Sequence, residues 1–360
     1  MIPGPTPLSD AVRAALAEPV RSHTSAENAA TMRRIQEGVR TLVGSASARV
    51  HAFGGAGTLA MEAAIVNHAA AGDRVVVLSH GYFGDRFVDV ASSLGMRAEA
   101  VQVDWGAHVD VDSVAERVSA GDAPAIVTMT HVDTSTGVLA DCAAITRAVR
   151  DAAPEAVIVV DGVCATGAVE ELMDAWDVDV VLTGAQKALA VPPGLALLAV
   201  SERATRRRSE LGRVAAYYAD LRRWDASVDD PTAYFSTHAT SLLRALEVAL
   251  DELFAEGLPE RYERHRRVAA ALREGMAELG FTSLTKQDVL APTLSVLAAP
   301  DGVDPAKLRA GMAARGVVVA GCLGPWASRG IRVGHMGNVG EAEVQRTVAS
   351  AETALDGARG

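Results

Sequence analysis

Residues 156–189, AVIVVDGVCATGAVEELMDAWDVDVVLTGAQKAL, hold two apolar runs that each end in an unusual loop. "AVIVV" from Ala156 and "DVVLT" from Asp179 lack the alternation of a half-exposed strand, as strands covered on both faces do. The first run stops at Asp161, and the loop after the second contains Lys187. Outward from this stretch, short β-branched runs recur at 74–79, 100–103, 125–130 and 195–200, separated by alanine-rich helical stretches. Strand and helix alternating at this period predict right-handed crossovers and an α/β fold around a mostly parallel sheet. Residues 141–151 show the helical period, with Asp141 placed to cap and Cys142, Ile145 and Val149 on one face.

Residues 205–231 are charged and aromatic without clear periodicity, and read as an excursion over the surface. The triplet Arg206, Arg207 and Arg208 reads as the solvated face of a surface helix. "TSLLRALEVALDELFAEG" reads as a helix ending at Gly257, and another spans about 259–280. Strands near 292–297 and 330–333 and helices near 305–314 and 341–356 suit an α+β unit. The expected organisation is therefore a large domain over 15–255 and a small one over 256–360, with residues 1–14 packed near the active site.

The net charge of −11 opposes binding to polyanions, and no Lys/Arg run is interleaved with stacking aromatics, so no nucleic acid partner is expected. No apolar run approaches membrane-spanning length, and MIPGPTP at the start lacks the features of a secretion signal. A soluble, cytoplasmic protein without a membrane partner is expected. Cys142, Cys164 and Cys322 are too few and too scattered for a disulfide framework or a zinc site, so reduced thiols and no metal are expected.

Ligands of open parallel sheets bind beyond the carboxyl ends of the strands. After the strand ending near Phe53 comes Gly54-Gly55-Ala56-Gly57-Thr58, opening into a helix. Small residues there let backbone N–H groups approach a phosphate at a helix N-terminus. Gly55, Gly57 and Ala60 also fit the dinucleotide pattern G-x-G-x-x-A. That site needs an acid at the end of the next strand, where Leu78-Ser79-His80 stands, which weakens the nicotinamide reading. The pair at 161 and 187 favours another cofactor. A lysine at the end of an apolar strand is costly as a bare cation but useful as an imine with a cofactor aldehyde. An aspartate at a neighbouring strand end can keep a pyridine nitrogen protonated.

These residues fall in eight stretches that occur in order along nearly the whole chain: PGPTPL, GGAGTLAMEAA, HGYFGDR, HVDTSTGVL, VVDGV, TGAQKALAVPPG, YFSTHATSLLRAL and IRVGHMGNV. In them the chain resembles class V, fold type I aminotransferases dependent on pyridoxal 5'-phosphate, specifically the alanine/serine–glyoxylate (or pyruvate) group. The resemblance implies a seven-stranded, mostly parallel sheet in the large domain and a smaller C-terminal α+β domain. It implies a homodimer with shared active sites, and ping-pong transfer of an amino group from a small amino acid to a small 2-oxo acid.

It also implies roles for individual residues. Lys187 carries the cofactor and moves the proton, and Asp161 faces the ring nitrogen. Phe83 stacks on the ring, Val163 packs on its opposite face, and Thr134 lies near the ring hydroxyl. Gly55, Ala56, Gly57, Thr58 and Gln186 surround the phosphate, with Tyr234 and Thr237 reaching it from the neighbouring subunit. Arg332 grips the substrate carboxylate through its planar fork. Asp133 stands where Glu is frequent, and Ala56, Ala185 and Cys164 where Ser is frequent. His335 admits both a supporting role beside Arg332 and a core role. The nearest alternative is 2-aminoethylphosphonate–pyruvate transaminase. A lyase or cysteine desulfurase using Cys322 is more distant, and a cofactor-binding regulator would be expected to bring a basic module that the sequence lacks.

Overall fold

A computed structural model describes residues 1–358. Its main sheet has seven strands in the order β1-β9-β8-β7-β4-β2-β3. These are β1 (Arg49–Gly55), β2 (Arg74–Ser79), β3 (Arg97–Gln102), β4 (Ile126–Thr130), β7 (Val157–Asp161), β8 (Val180–Gly184) and β9 (Gly194–Val200). A two-stranded hairpin, β5 (Val132–Asp133) and β6 (Val138–Leu139), follows β4. The pairs from β8 across to β3 are parallel, whereas β9 runs antiparallel to both β8 and β1. The reversal has a simple cause: residues 185–193 between β8 and β9 are too few for a crossover, which needs about a dozen or more. Lys187 lies in that short return.

Along β7, Val157 and Val159 join one core while Ile158 and Val160 join the other. One layer includes α3 (Gly57–Val66) and α4 (Tyr82–Ser93). The other includes α2 (Ala26–Val43), α5 (Val111–Ser119), α6 (Cys142–Ala152) and α9 (Thr240–Glu256), with α1 (Asp10–Leu16) against α9. This double covering explains the unbroken apolar runs. Asp141 caps α6 by accepting from Ala144 N, and Cys142 is buried on its inner face. A second, antiparallel sheet has the order β10-β11-β13-β12: β10 (Thr282–Ser283), β11 (Leu294–Ala298), β12 (Ala320–Gly321) and β13 (Gly330–Gly334). It shares a core with α10 (Leu258–Glu278), α11 (Pro305–Ala314) and α12 (Glu341–Ala358).

The expected surface excursion over 205–231 is corrected. The chain forms α7 (Glu202–Glu210) and α8 (Leu221–Asp229), and Leu221 and Trp224 are buried, with Trp224 stacked on Phe53 at 5.4 Å between ring centres. The arginine triplet is not uniformly solvated either. Arg208 is fully buried and donates to the Asp225 carboxylate at 2.6 Å. Its counter-ion comes from the next helix, so no charge pattern within α7 reveals the burial.

Candidate active site

The carboxyl ends of β4 and β7 and the return after β8 surround a cavity of about 310 Å³. Ala56, Gly57, Thr58, Phe83, Thr134, Asp161, Val163, Gln186 and Lys187 all line it. The sequence had spread these residues over more than a hundred positions; parallel strands bring their following loops to one edge.

Asp161 ends β7 and is buried, with one oxygen accepting from Val163 N at 2.9 Å. Burial pushes its carboxyl up to about 7, with the charges of Asp133 and Glu171 adding to the rise and Val163 N and Lys187 opposing it. Lys187 sits in a turn closed by Ala190 N to Lys187 O at 3.0 Å and Val191 N to Ala185 O at 3.0 Å. Its Nζ donates to the carbonyl of Pro3. Next to it, the Gln186 Oε1 atom is buried without a partner.

On another side of the cavity, α3 begins at Gly57 with no side-chain cap from Ala56. A Cβ on Gly57 would lie 3.1 Å from Val163 Cγ2, a tight contact that Val163 would have to yield to. The Thr58 hydroxyl accepts from Arg86 Nη1 at 3.1 Å, and the Arg86 guanidinium lies over Phe83, 4.8 Å from its ring centre. Phe83 is held from behind. Both Phe83 N (3.0 Å) and Gly84 N (3.1 Å) donate to the buried Asp133 carboxylate, while the Ser135 hydroxyl accepts from Tyr82 N at 2.9 Å. At Gly81, a Cβ would meet the Ser135 hydroxyl oxygen at 2.5 Å. The hydroxyls of Thr130 and Thr134 are buried at the cavity without partners.

Four predicted site residues do not line the cavity. Gly55 lies under α3, where a Cβ would collide with Leu59, so its smallness serves helix-on-strand packing. Tyr234 and Thr237 are exposed on the surface, Tyr234 by 63%. Arg332 on β13 stands just behind the wall, donating from Nη1 to Thr134 O at 2.9 Å and from Nε to Gly321 O at 2.7 Å. No carboxylate among the described residues forms an ion pair with it. His335 is fully buried with Nε2 3.0 Å from the Ser295 hydroxyl oxygen, a core position. Cys322 is buried, and burial pushes its thiol up to about 11.

Gly4 and Pro5, from the segment expected near the active site, line the cavity, whereas sequence reasoning missed Arg86, Asp133 as the cap of α4, and Thr130. HGYFGDR did contain the signal for Arg86, since Arg86 lies one helical turn beyond Phe83 and shares its face. No local pattern announces the others.

The chain is similar to known proteins along nearly its whole length. The family described as aminotransferase class-V matches residues 10–334. Alanine–glyoxylate aminotransferase 1 of Saccharomyces cerevisiae is 35% identical, over 94% of this chain and 91% of its own. Serine–glyoxylate aminotransferase of Hyphomicrobium methylovorum is 32% identical, over 98% of this chain and 88% of its own. Among solved structures, an alanine–glyoxylate aminotransferase from Nostoc sp. superposes with a TM-score of 0.95 at 29% identity, covering 99% of this chain and 94% of that one.

Proposed function

The chain belongs to the class V aminotransferases, and on that premise we propose that it binds pyridoxal 5'-phosphate in this cavity and moves the amino group of alanine or serine to glyoxylate or pyruvate. The observation that carries the reading is the Asp161 carboxyl, buried without an ion-pair partner and raised to about 7, lining the same cavity as Lys187. A protonated pyridine nitrogen is the kind of partner such a carboxyl lacks. Other features fit the cofactor's phosphate: the uncapped N-terminus of α3, the Thr58 hydroxyl and the Arg86 guanidinium. Gln186 completes the set, since turning its amide presents an N–H instead of the unpartnered oxygen. Thr134 offers a free hydroxyl, and Phe83 and Val163 offer apolar contact for ring faces.

When bound, the cofactor supplies an aldehyde for the amine and a ring that takes up the electron pair left as the Cα proton departs. Lys187 Nζ is the base that removes that proton and the acid that returns it. Asp161 holds the proton on the ring nitrogen. Arg332 fixes the donor by its carboxylate, and turnover follows a ping-pong course in which the first keto acid leaves before the second enters.

Cavity charge favours alanine or serine over 2-aminoethylphosphonate. The doubly charged phosphonate needs a cation beyond Arg332, and the one guanidinium that lines the cavity among the described residues, Arg86, is engaged with Thr58 and Phe83. A desulfurase reading needs a mobile, ionisable thiol, whereas Cys322 is buried and its thiol is raised to about 11. Arg332→Lys keeps the charge and loses the fork, so kcat/KM with alanine or serine is expected to fall about a hundredfold, ~2.7 kcal/mol. Side-by-side efficiencies for alanine, serine and 2-aminoethylphosphonate on wild type and Arg332→Lys test this. A wild-type preference for the phosphonate overturns the donor assignment.

The reading includes a homodimer with shared sites, supported by the exposure of Tyr234 and Thr237, which contact nothing in the cavity of their own chain. Diluting to monomer, or changing Tyr234 to Phe together with Thr237 to Val, is expected to weaken cofactor retention at least tenfold by equilibrium dialysis. Equal retention by an isolated monomer removes the shared phosphate site. The reading places the enzyme in the cytoplasm, in keeping with three buried, unbridged cysteines. No helix among the described residues is long and apolar enough to cross a membrane.

A further inference from the structure

Residues 1–6 form a strap that runs from the strand bearing Arg332 to the loop bearing Lys187. At one end Gly334 N, two residues beyond Arg332, donates to Met1 O at 2.8 Å. A Cβ on Gly334 would stand 2.6 Å from Pro3 Cα, so strap and strand touch backbone to backbone. At the other end Thr6 is bonded twice to the lysine loop. Its N–H donates to Gln186 O at 3.1 Å, and its hydroxyl donates to Lys187 O at 2.6 Å.

Between these anchors the strap lies against the lysine side chain itself. Lys187 Nζ donates to Pro3 O, and Gly4 packs so closely that a Cβ there would meet Lys187 Cδ at 2.5 Å, Cε at 2.8 Å and Nζ at 2.9 Å. Gly4 also has φ +106°, a conformation that L side chains rarely adopt. The backbone conformation favours glycine at position 4, and a Cβ there would push aside the flexible end of Lys187.

We infer that Gly4 and Thr6 are positioning residues that hold the Pro3 carbonyl as a dock for the lysine amino group whenever Lys187 is not joined to the cofactor. The inference rests on the proposed role of Lys187. When a donor amine displaces the lysine, its freed amino group has a fixed acceptor at the edge of the cavity, to which it donates one N–H while its lone pair stays free to take a proton, instead of a range of solvated rotamers. A carbonyl oxygen accepts a hydrogen bond without taking the proton, so the lysine is retained and not consumed. Because the strap also binds β13, the dock keeps a set position relative to Arg332.

Lys187, Lys286 and Lys307 are the lysines of the sequence, and the latter two are exposed, which provides internal references. The experiment is brief acetylation of the full-length, cofactor-free protein, with labelling at each lysine read by mass spectrometry. In wild type, Lys187 is expected to label at least tenfold more slowly than Lys307. Gly4→Ala, which expels the side chain, and Thr6→Val, which releases the strap, are each expected to raise Lys187 labelling about fivefold or more with Lys286 and Lys307 unchanged. Thr6→Ser keeps the hydroxyl and is expected to label as wild type does. Should Gly4→Ala fail to fold by circular dichroism, the Thr6 pair decides. Wild-type labelling in folded Thr6→Val overturns the dock, as does equal loss of protection in Thr6→Ser and Thr6→Val. The labelling needs neither cofactor nor substrate, so it is separable from the proposed function. Failure of the wild type to attach pyridoxal phosphate at Lys187 would defeat that function and leave the labelling result standing.

Discussion

Replacing Lys187 by alanine is expected to abolish turnover and covalent attachment of the cofactor together. Lys187 is the one lysine that lines the cavity among the described residues, and the buried Asp161 lines it too. Losing a positioned general base alone costs about 10²–10⁴-fold. Losing the attachment point as well removes the group that a donor amine displaces. The purified wild type is expected to be yellow and to gain the mass of the cofactor at Lys187 after borohydride reduction. The Lys187→Ala protein is expected to show neither property while keeping its fold by circular dichroism. Measurable transamination by Lys187→Ala sinks the assignment.

The second large effect belongs to Asp161. Asp161→Asn preserves shape and the acceptor for Val163 N but leaves no negative charge for the ring nitrogen. Turnover is expected to fall by roughly a thousandfold or more, about 4 kcal/mol of transition-state stabilisation, while some cofactor remains bound. Near-normal rates contradict the role.

The same substitution has an opposite consequence for the cofactor-free protein. The folded carboxyl titrates near 7 and the unfolded one near its ordinary 3.8. Between those values the native state binds more protons than the unfolded state, so stability falls as pH rises and the loss is complete above about 7. It is on the order of 4 kcal/mol by linkage. Asp161→Asn, which never ionises, is expected to unfold at the same urea concentration as wild type near pH 4 and at a higher one at pH 8. An unchanged difference across that range shows that the carboxyl is not desolvated.

Much of this molecule is legible in its sequence because its central strands are covered on both faces. Val157 to Val160 and Val180 to Leu182 have to be continuously apolar, and continuous apolar runs are visible without knowing what they pack against. A charged residue at the end of such a run stands out for the same reason, and that is how Asp161 and Lys187 declare themselves. Glycines of the β1–α3 turn are likewise readable, since the need for smallness is local, even though Gly55 answers to Leu59 and not to the cavity.

Residues whose partners lie far along the chain were not readable. Nothing within HVDTSTG tells that Asp133 caps a helix fifty residues earlier, nor within the polar helix α7 that Arg208 is buried against Asp225. The antiparallel course of β9 follows from the length of one connection, a constraint that strand patterns do not carry. Sequence by itself therefore determined the sheet, the lysine and the aspartate, because each obeys a rule of period or strand end. Only the tertiary structure decided how Phe83 is held, that Arg86 joins Thr58, and that Pro3, Gly4 and Thr6 close on Lys187, because those contacts depend on where distant segments meet and leave no period behind.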